Sequence, residues 1–306
     1  MPLLPEGAHW GCMKKADLEK FIRPFRVTGA KGFDLDDFDP ADTGSFRSKS
    51  EAAGLLDQGV ARMGALQEKL YADGKWALLL IFQAMDAAGK DSTIKHVMSG
   101  INPQGCQVHS FKAPTSTELG HDYLWRNNTS LPERGRIGIF NRSYYEEVLV
   151  VRVHPGILQQ QKIPACLIHD KIWDERHEDI AAYERYLGRN GVVVRKFFLH
   201  VSKKAQKERF LERIDQKEKN WKFSSTDVRE REHWKEYQKA YQEVIRATAT
   251  PAAPWFVVPA DHKWFTRLVV SAAIVETLES LDLRFPTIEA GQKKELISSR
   301  RLLEAE

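Results

Sequence analysis

The chain has 306 residues, 42% hydrophobic and 29% charged, with a formal net charge of +4. That balance argues against a disordered chain, and no apolar run approaches the ~20 residues of a membrane span. The three cysteines, Cys12, Cys106 and Cys166, are too far apart for a zinc site or disulfide framework and read as thiols in a reducing cytoplasm.

Residues 1–46 mix prolines, an acidic DLDDFDP stretch and Gly44, and are expected to form a partly irregular arm. The opening residues lack the basic flank and apolar core of a secretory signal. From Ser48 to Asp73, Leu55, Leu56, Val60, Met63, Leu66 and Leu70 recur at helical spacing, and Gly74 follows as a stop. This predicts an amphipathic packing helix.

Residues 77–82 are a short, wholly apolar run, read as a strand buried on both faces. The run leads into Gln83-Ala84-Met85-Asp86-Ala87-Ala88-Gly89-Lys90, then Asp91, Ser92 and Thr93 opening a helix to about Met98. A strand, a small-residue loop, a lysine and a helix N-terminus make a cradle for phosphate. The pattern G-x-x-x-x-G-K-[ST] is met imperfectly: Ala84 stands for the first glycine, and Asp91 for the hydroxyl, with Ser92 one place late. An ordinary β-to-α turn is the alternative.

A second strand is expected over 106–111. Thr115 and Glu118 make a capping-box pair before a helix carrying His121 to Arg126. A third strand, 136–140, ends at Asn141-Arg142, with a helix through 145–150. Residues 166–188 read as a helix with Ile172, Trp173, Ile180, Tyr183 and Leu187 on one side. A fourth strand follows over 192–199 and a fifth over 255–258, with a last helix over 264–281 and a polar, peripheral tail. Five alternations of strand and helix predict a three-layer α/β/α fold on a parallel sheet. The expected boundaries are 1–46 for the arm, 47–282 for the main domain and 283–306 for the tail. Residues 202–248 are the candidate for a mobile helical lid.

In such a sheet, ligands bind outside the carboxyl ends of the strands. Those ends carry Asp86 and Lys90, Asn141 and Arg142, His200, and Asp261-His262-Lys263. Phosphoryl transfer needs phosphate oxygens held, charge neutralised and donor and acceptor aligned. Lys90 suits the phosphate clamp, and Asp86 suits Mg²⁺ or the orientation of an acceptor phosphate. Asn141 brings no charge, so Glu146 or Glu147 supplies the second acid; helical spacing favours Glu146, returning toward Arg142. Residues 195–235 hold 13 Lys/Arg and 7 Asp/Glu, net +6, a surface suited to an extended phosphate substrate or simply a solvated face. His169 and His177, eight apart on one expected helix, lack acidic partners for a metal site. No G-x-S-x-G occurs.

The segments QAMDAAGKDSTIKHV, PTSTELGHDYLWR, GRIGIFNRSYYEEVLVVRVHP, VVVRKFFLHVSKKAQKERFLERI, KNWKFSSTDVREREHWKEYQKAY and APWFVVPADHKWFTRL, in this order, resemble the polyphosphate kinase 2 family over residues 50–282. The resemblance implies a P-loop kinase fold with a helical lid and Mg²⁺-dependent transfer between inorganic polyphosphate and a nucleotide, with Mn²⁺ as an alternative ion. It implies Asp86, Lys90, Arg142 and Glu146 as catalytic residues, and Asp86 and Glu146 at the metal. Ala87, Ala88, Gly89, Asp91, Ser92, Arg126, Asn141, Lys222, Arg229 and Arg231 then line phosphate or nucleotide. Asn141 stands where many members carry Asp in FDRS, a variant like the subgroup acting on both AMP and ADP. The same resemblance implies a cytoplasmic homo-oligomer, a dimer or tetramer, that binds neither nucleic acid nor membrane. An ATP-dependent kinase of the same fold and a non-enzymatic polyanion binder are the competing functions.

Overall fold

A computed structural model describes residues 15–306; Cys12 and the first prolines of the expected arm lie outside the described residues. The strands are β1 (Arg26–Val27), β2 (Ala77–Gln83), β3 (Cys106–Ser110), β4 (Ile137–Asn141), β5 (Val192–His200) and β6 (Trp255–Pro259). The helices are α1 (Lys15–Ile22), α2 (Lys49–Asp73), α3 (Lys90–Val97), α4 (Trp125–Asn128), α5 (Val150–Val153) and α6 (Pro155–Gln160). They continue as α7 (Ile172–Arg189), α8 (Lys203–Asp215), α9 (Ser225–Arg229), α10 (Trp234–Thr248), α11 (Lys263–Ser280) and α12 (Ala290–Leu303).

The sheet order is β1-β6-β5-β2-β4-β3, and the five strands from β2 onward are mutually parallel. Every residue of β2 is buried, as its unbroken apolar run requires, because helices cover both faces. Helices α1, α2, α3 and α11 pack together as one layer; α5, α7 and α10 form the other. Ser48 caps α2 by accepting from Glu51 N–H, and Gly74 ends it at φ 62°, a left-handed turn that favours glycine.

Three expectations need correction. The arm is more ordered than its prolines suggest: it contributes α1 and a sixth strand, β1, antiparallel to β6 through Arg26↔Phe256 and Val27↔Trp255. Two residues are too few to show a period of two, so only the partner strand reveals them. The Thr115–Glu118 capping pair forms in both directions, but it closes a single 3₁₀ turn, Glu118–Gly120, and regular helix begins only at Trp125. His169 precedes α7 instead of sharing it with His177.

The third strand's exit is a 3₁₀ turn, Tyr144–Val148, followed by α5. The tail does form a helix, α12, but it is exposed throughout. No helix among the described residues is long and apolar enough to cross a membrane.

Candidate active site

The carboxyl ends of β2, β4, β5 and β6 converge at one edge, as the parallel register demands: Phe82 aligns with both Asn141 and Phe197, and His200 aligns with Pro259. Residues leaving β2 turn through Met85–Ala88, where Ala88 N–H donates to Met85 O, and α3 starts at Lys90. Ala84 is not among the residues with positive φ, so that position needs no glycine. The left-handed turns fall instead at Ala87 (φ 59°) and Gly89 (φ 105°). The Lys90 ammonium folds back to donate to Ala84 O at 2.8 Å, across the hollow of the loop. This is how the imperfect motif still builds a closed cradle with a cation over it.

Arg142 leaves β4 with its N–H still bonded to Phe82 O (3.1 Å) and its backbone at φ 65°. A left-handed arginine costs about 1 kcal/mol, and the turn around it is tied down on both sides. Ser143 caps the following turn by accepting from Tyr145 N–H. Tyr144 and Tyr145 both donate their hydroxyls to buried Glu184, at 2.9 and 2.7 Å. Glu184 in turn accepts from fully buried Lys196 at 2.5 Å. With two consecutive tyrosines held on the α7 side, the next residue, Glu146, is turned into the cleft.

Arg142 Nη2 then lies 3.0 Å from Asp86 Oδ1, and Nη1 lies 3.9 Å from Glu146 Oε2. The Gln83 carboxamide, with its nitrogen toward Glu146, donates to Oε1 at 2.9 Å and accepts from Ser143. The structure also separates Glu146 from Glu147. Glu147 is buried against Arg176 (3.1 Å) and Gln161 (2.7 Å), a closed structural triangle away from the loop.

Burial pushes the Glu146 carboxyl above its usual range, against the pull of Arg142 and Lys90. Burial, then the charge of Arg142, lowers the Lys90 ammonium. Arg142 is raised: burial opposes its charge, but the Glu146 and Asp86 carboxylates outweigh that. The three groups hold one another's charges in a partly exposed cleft, where fixed charges can act on a bound phosphate.

Two cavities meet at this pair. One, of about 200 Å³, lies between the loop and the helical segment 203–248, lined by Asp86, Arg142, Glu146, Gln206, Asp227 and Tyr237 among others. The second, of about 390 Å³, is largely apolar, with Phe111, Pro114, Leu119, Val150 and Ile157 on its walls and Arg126 at its side. Arg142 and Glu146 line both. Arg126 is buried, donates to Lys112 O at 2.7 Å and lies 5.6 Å from the centre of the Phe111 ring.

Other expected site residues are placed differently. Asn141 donates to Asp91 Oδ1 at 2.7 Å, beside the loop. Ser92 accepts from Arg267 of α11 at 2.9 Å, so its hydroxyl faces that helix. Lys222, Arg229 and Arg231 lie off the walls of both cavities. Lys222 sits exposed with its ammonium 4.9 Å from the Trp221 ring centre. Arg229 is exposed, and Arg231 is spent on Gln206 (2.6 Å) and Lys203 O. Much of the +6 counted over 195–235 is likewise structural, since Lys196 is fully buried and Arg195 bonds Thr277.

Arg209 escaped the reading of the sequence. Its guanidinium is buried on α8 and donates to Ala87 O (3.1 Å), Ala88 O (2.7 Å) and Asp261 O (3.0 Å), besides Ala260 O. It ties down two of the loop's carbonyls. Gln206, one turn earlier, donates to Asp86 O at 2.9 Å. The available signal was the spacing Gln206, Arg209, Phe210 on an otherwise polar helix, the buried stripe of α8.

The profile of the family described as polyphosphate kinase 2 (PPK2) matches residues 47–286. An "ADP-polyphosphate phosphotransferase" of Rhodopseudomonas palustris is 50% identical over 92% of this chain and 98% of its own length. An "AMP/ADP-polyphosphate phosphotransferase" of Meiothermus ruber is 43% identical over 90% of this chain and 100% of its own. The crystal structure of polyphosphate kinase 2 from Arthrobacter aurescens TC1 superposes with a TM-score of 0.81 at 36% identity, covering 94% of this chain and 97% of that one. With the P-loop kinase architecture, the loop lysine and the strand-end arginine all in place, the chain belongs to the polyphosphate kinase 2 family.

Proposed function

We propose that the protein transfers the terminal phosphoryl group of inorganic polyphosphate to AMP and ADP, making ADP and ATP, and that the transfer runs in both directions. The observation that carries this reading is the shared wall: Arg142 and Glu146 line both the cavity at the phosphate loop and the larger apolar one. A nucleoside in the apolar cavity presents its terminal phosphate at Arg142, facing a donor chain held by Lys90 and the loop amides. Arg126 neutralises the acceptor's remaining phosphate charge. Positioning and charge neutralisation are most of what this reaction asks of a protein. The names carried by the Rhodopseudomonas and Meiothermus relatives support the same substrates.

Mg²⁺ fits the residues present. Asp86 and Glu146 offer carboxylate oxygens only, and Arg142 engages Oδ1 of Asp86, leaving Oδ2 to a cation. Asp86 and Glu146 would hold the ion together with phosphate oxygens and water, as is usual for Mg²⁺. Bound Mg²⁺ (or Mn²⁺) neutralises charge developing on the transferred phosphoryl group. Arg142 orients the acceptor oxygen, and Glu146, 17% exposed, adds negative charge to the shared wall.

The catalytic unit in this reading is 47–282, with 202–248 closing over the donor; Asp227 and Tyr237 on the cavity wall support that closure. Assembly into a dimer or tetramer in the cytoplasm belongs to the same reading, supported by the exposed Leu296, Ile297, Leu302 and Leu303 of α12, a surface for assembly to cover. The test is incubation with polyphosphate, Mg²⁺ and either AMP or ADP, without another donor. ATP from ADP, and ADP followed by ATP from AMP, is the expected result. No product from either nucleotide sinks the reading, and product formed only when ATP is the donor establishes an ATP-dependent kinase instead.

A further inference from the structure

The helical side of the cavity at the loop is built from pieces that are held very differently. α10 supplies Tyr237 and Tyr241 to the wall and is anchored by a buried face that includes Ala240, Val244 and Ile245. Thr226, Asp227 and Glu230 also line the cavity, but they belong to α9 and the 3₁₀ turn Glu230–His233, which bury no residue. A wall segment without an apolar anchor sits at the low end of local stability, so polar contacts must hold it in place. Asp227 lies 3.8 Å from Arg213, and Arg231 donates to Gln206 and Lys203 O; all three partners are on α8, inside the same 202–248 region. Glu230 reaches further. Its Oε2 accepts from Tyr237 Oη at 2.9 Å and from His154 Nε2 at 2.8 Å. The His233 ring packs edge-on against His154, with centroids 4.8 Å apart. Among the described residues, His154 is the one hydrogen-bonding partner that 225–233 has outside 202–248.

His154 is fixed on its own side. It closes α5 with its N–H on Val150 O (2.9 Å), and the proline that follows confines its backbone. α5 continues the strand exit that carries Arg142 and Glu146, so the contact ties the far wall of the cavity to the segment that supplies its near wall. It also disposes of a charge. The cavity wall carries four carboxylates, Asp86, Glu146, Asp227 and Glu230, against one guanidinium, that of Arg142. Burial raises the Glu230 carboxyl, but the hydrogen bonds from His154 and Tyr237 bring it below its ordinary value. An anion therefore stands at a site for anions, and its donors draw it aside. We propose that His154 is a positioning residue: through Glu230 it seats the stretch 225–233 over the donor phosphates and keeps the Glu230 carboxylate off them. The inference rests on polyphosphate being the donor at the loop.

The experiment compares His154→Ala, Glu230→Ala and the double variant with the wild type, varying polyphosphate and ADP in turn, with thermal melts to check folding. Each single change is expected to lower kcat/KM for polyphosphate about tenfold, the worth of one hydrogen bond to a charged group, while the ADP KM moves by less than about twofold. The double variant is expected to lose no more than the worse single one, because the two residues act as a unit. His154→Gln, whose amide can donate in place of the ring Nε2–H, is expected to recover most of the loss. Hydrogen exchange without substrate should be about fivefold faster over 225–233 in His154→Ala and unchanged in α11. Losses that multiply in the double variant, an equal rise in the ADP KM, no recovery with His154→Gln, or unaltered exchange over 225–233 each overturn the proposal. A wild type that makes no ATP from polyphosphate fails the parent reading instead, and the exchange measurement still decides whether His154 seats the turn.

Discussion

Arg142 reaches Asp86 across two neighbouring strand ends, Nη2 to Oδ1 at 3.0 Å, and does so from a left-handed backbone at φ 65°. An arginine in an extended conformation at the end of β4 would continue along the strand. The turn redirects it over the phosphate loop, where it meets an acid from the other parallel strand. That single contact ties the loop after β2 to the end of β4.

Lys90→Ala should remove the cation that lies over the loop and leave the fold intact, because the ammonium's hydrogen bond goes to one carbonyl, Ala84 O, that water can satisfy. We expect kcat to fall by roughly two to three orders of magnitude. Steady-state ATP formation measures it; a drop under tenfold counts against the clamp role.

Glu146 carries a raised pKa from burial. An acid whose folded pKa exceeds its unfolded one costs stability when ionised, so the cost is present above the folded pKa and vanishes below the unfolded value, about 4.3. Glu146→Gln should therefore raise the melting temperature at pH 7 and lose that gain as the pH falls toward 4. The activity of Glu146→Ala should drop more with AMP than with ADP, because AMP has a single phosphate to be held at the shared wall. Equal loss on both acceptors speaks against an acceptor role.

Breaking the buried Glu184–Lys196 pair should destabilise strongly, since each partner is at most 2% exposed and the carboxylate also anchors Tyr144 and Tyr145. Lys196→Met is expected to cost about 3–5 kcal/mol in denaturant unfolding. Glu184→Met added to it should cost less than the sum, because the second change removes an unpaired buried charge. Additive losses would show that the pair is not coupled.

Asn141→Asp replaces a hydrogen bond to Asp91 by two carboxylates at close range. A loss of about 1 kcal/mol is expected at neutral pH, shrinking as the pH falls and one carboxyl takes a proton, with circular-dichroism melts as the measurement. Unchanged stability at both pH values would show the contact to be incidental.

The KM for polyphosphate should rise as salt is added between 50 and 200 mM, because the Arg142 side chain is 41% exposed and screened by ions at about 10 Å. The acceptor KM should respond less, since Arg126 is buried. Parallel responses would place both substrates on the open surface.

Much of the architecture was legible in the chain because its signals are local. The uninterrupted apolar run of β2, the Ser48 and Gly74 stops of α2, and the small-residue loop ending in Gly89-Lys90 each follow from neighbouring residues. The strand β1 was not legible, because two residues carry no period, and the helix expected at His121 was over-read from one capping pair.

The sequence by itself determined the alternation of strands and helices, and so which strand ends share an edge and that Asp86, Lys90, Asn141 and Arg142 face one site. Local pattern is enough for that, because burial on two faces and turn chemistry depend on adjacent residues. Only the tertiary structure decided which acid faces the cleft beside the loop and which cations are buried. Glu146 and Glu147 are adjacent and chemically alike, but Glu184 holds the two preceding tyrosines and so turns Glu146 toward Arg142 while Arg176 takes Glu147. Charge counts could not separate Lys196, sealed in the core, from Lys219, partly exposed on the turn after α8. Their difference lies in partners brought from distant segments, and no local pattern encodes those.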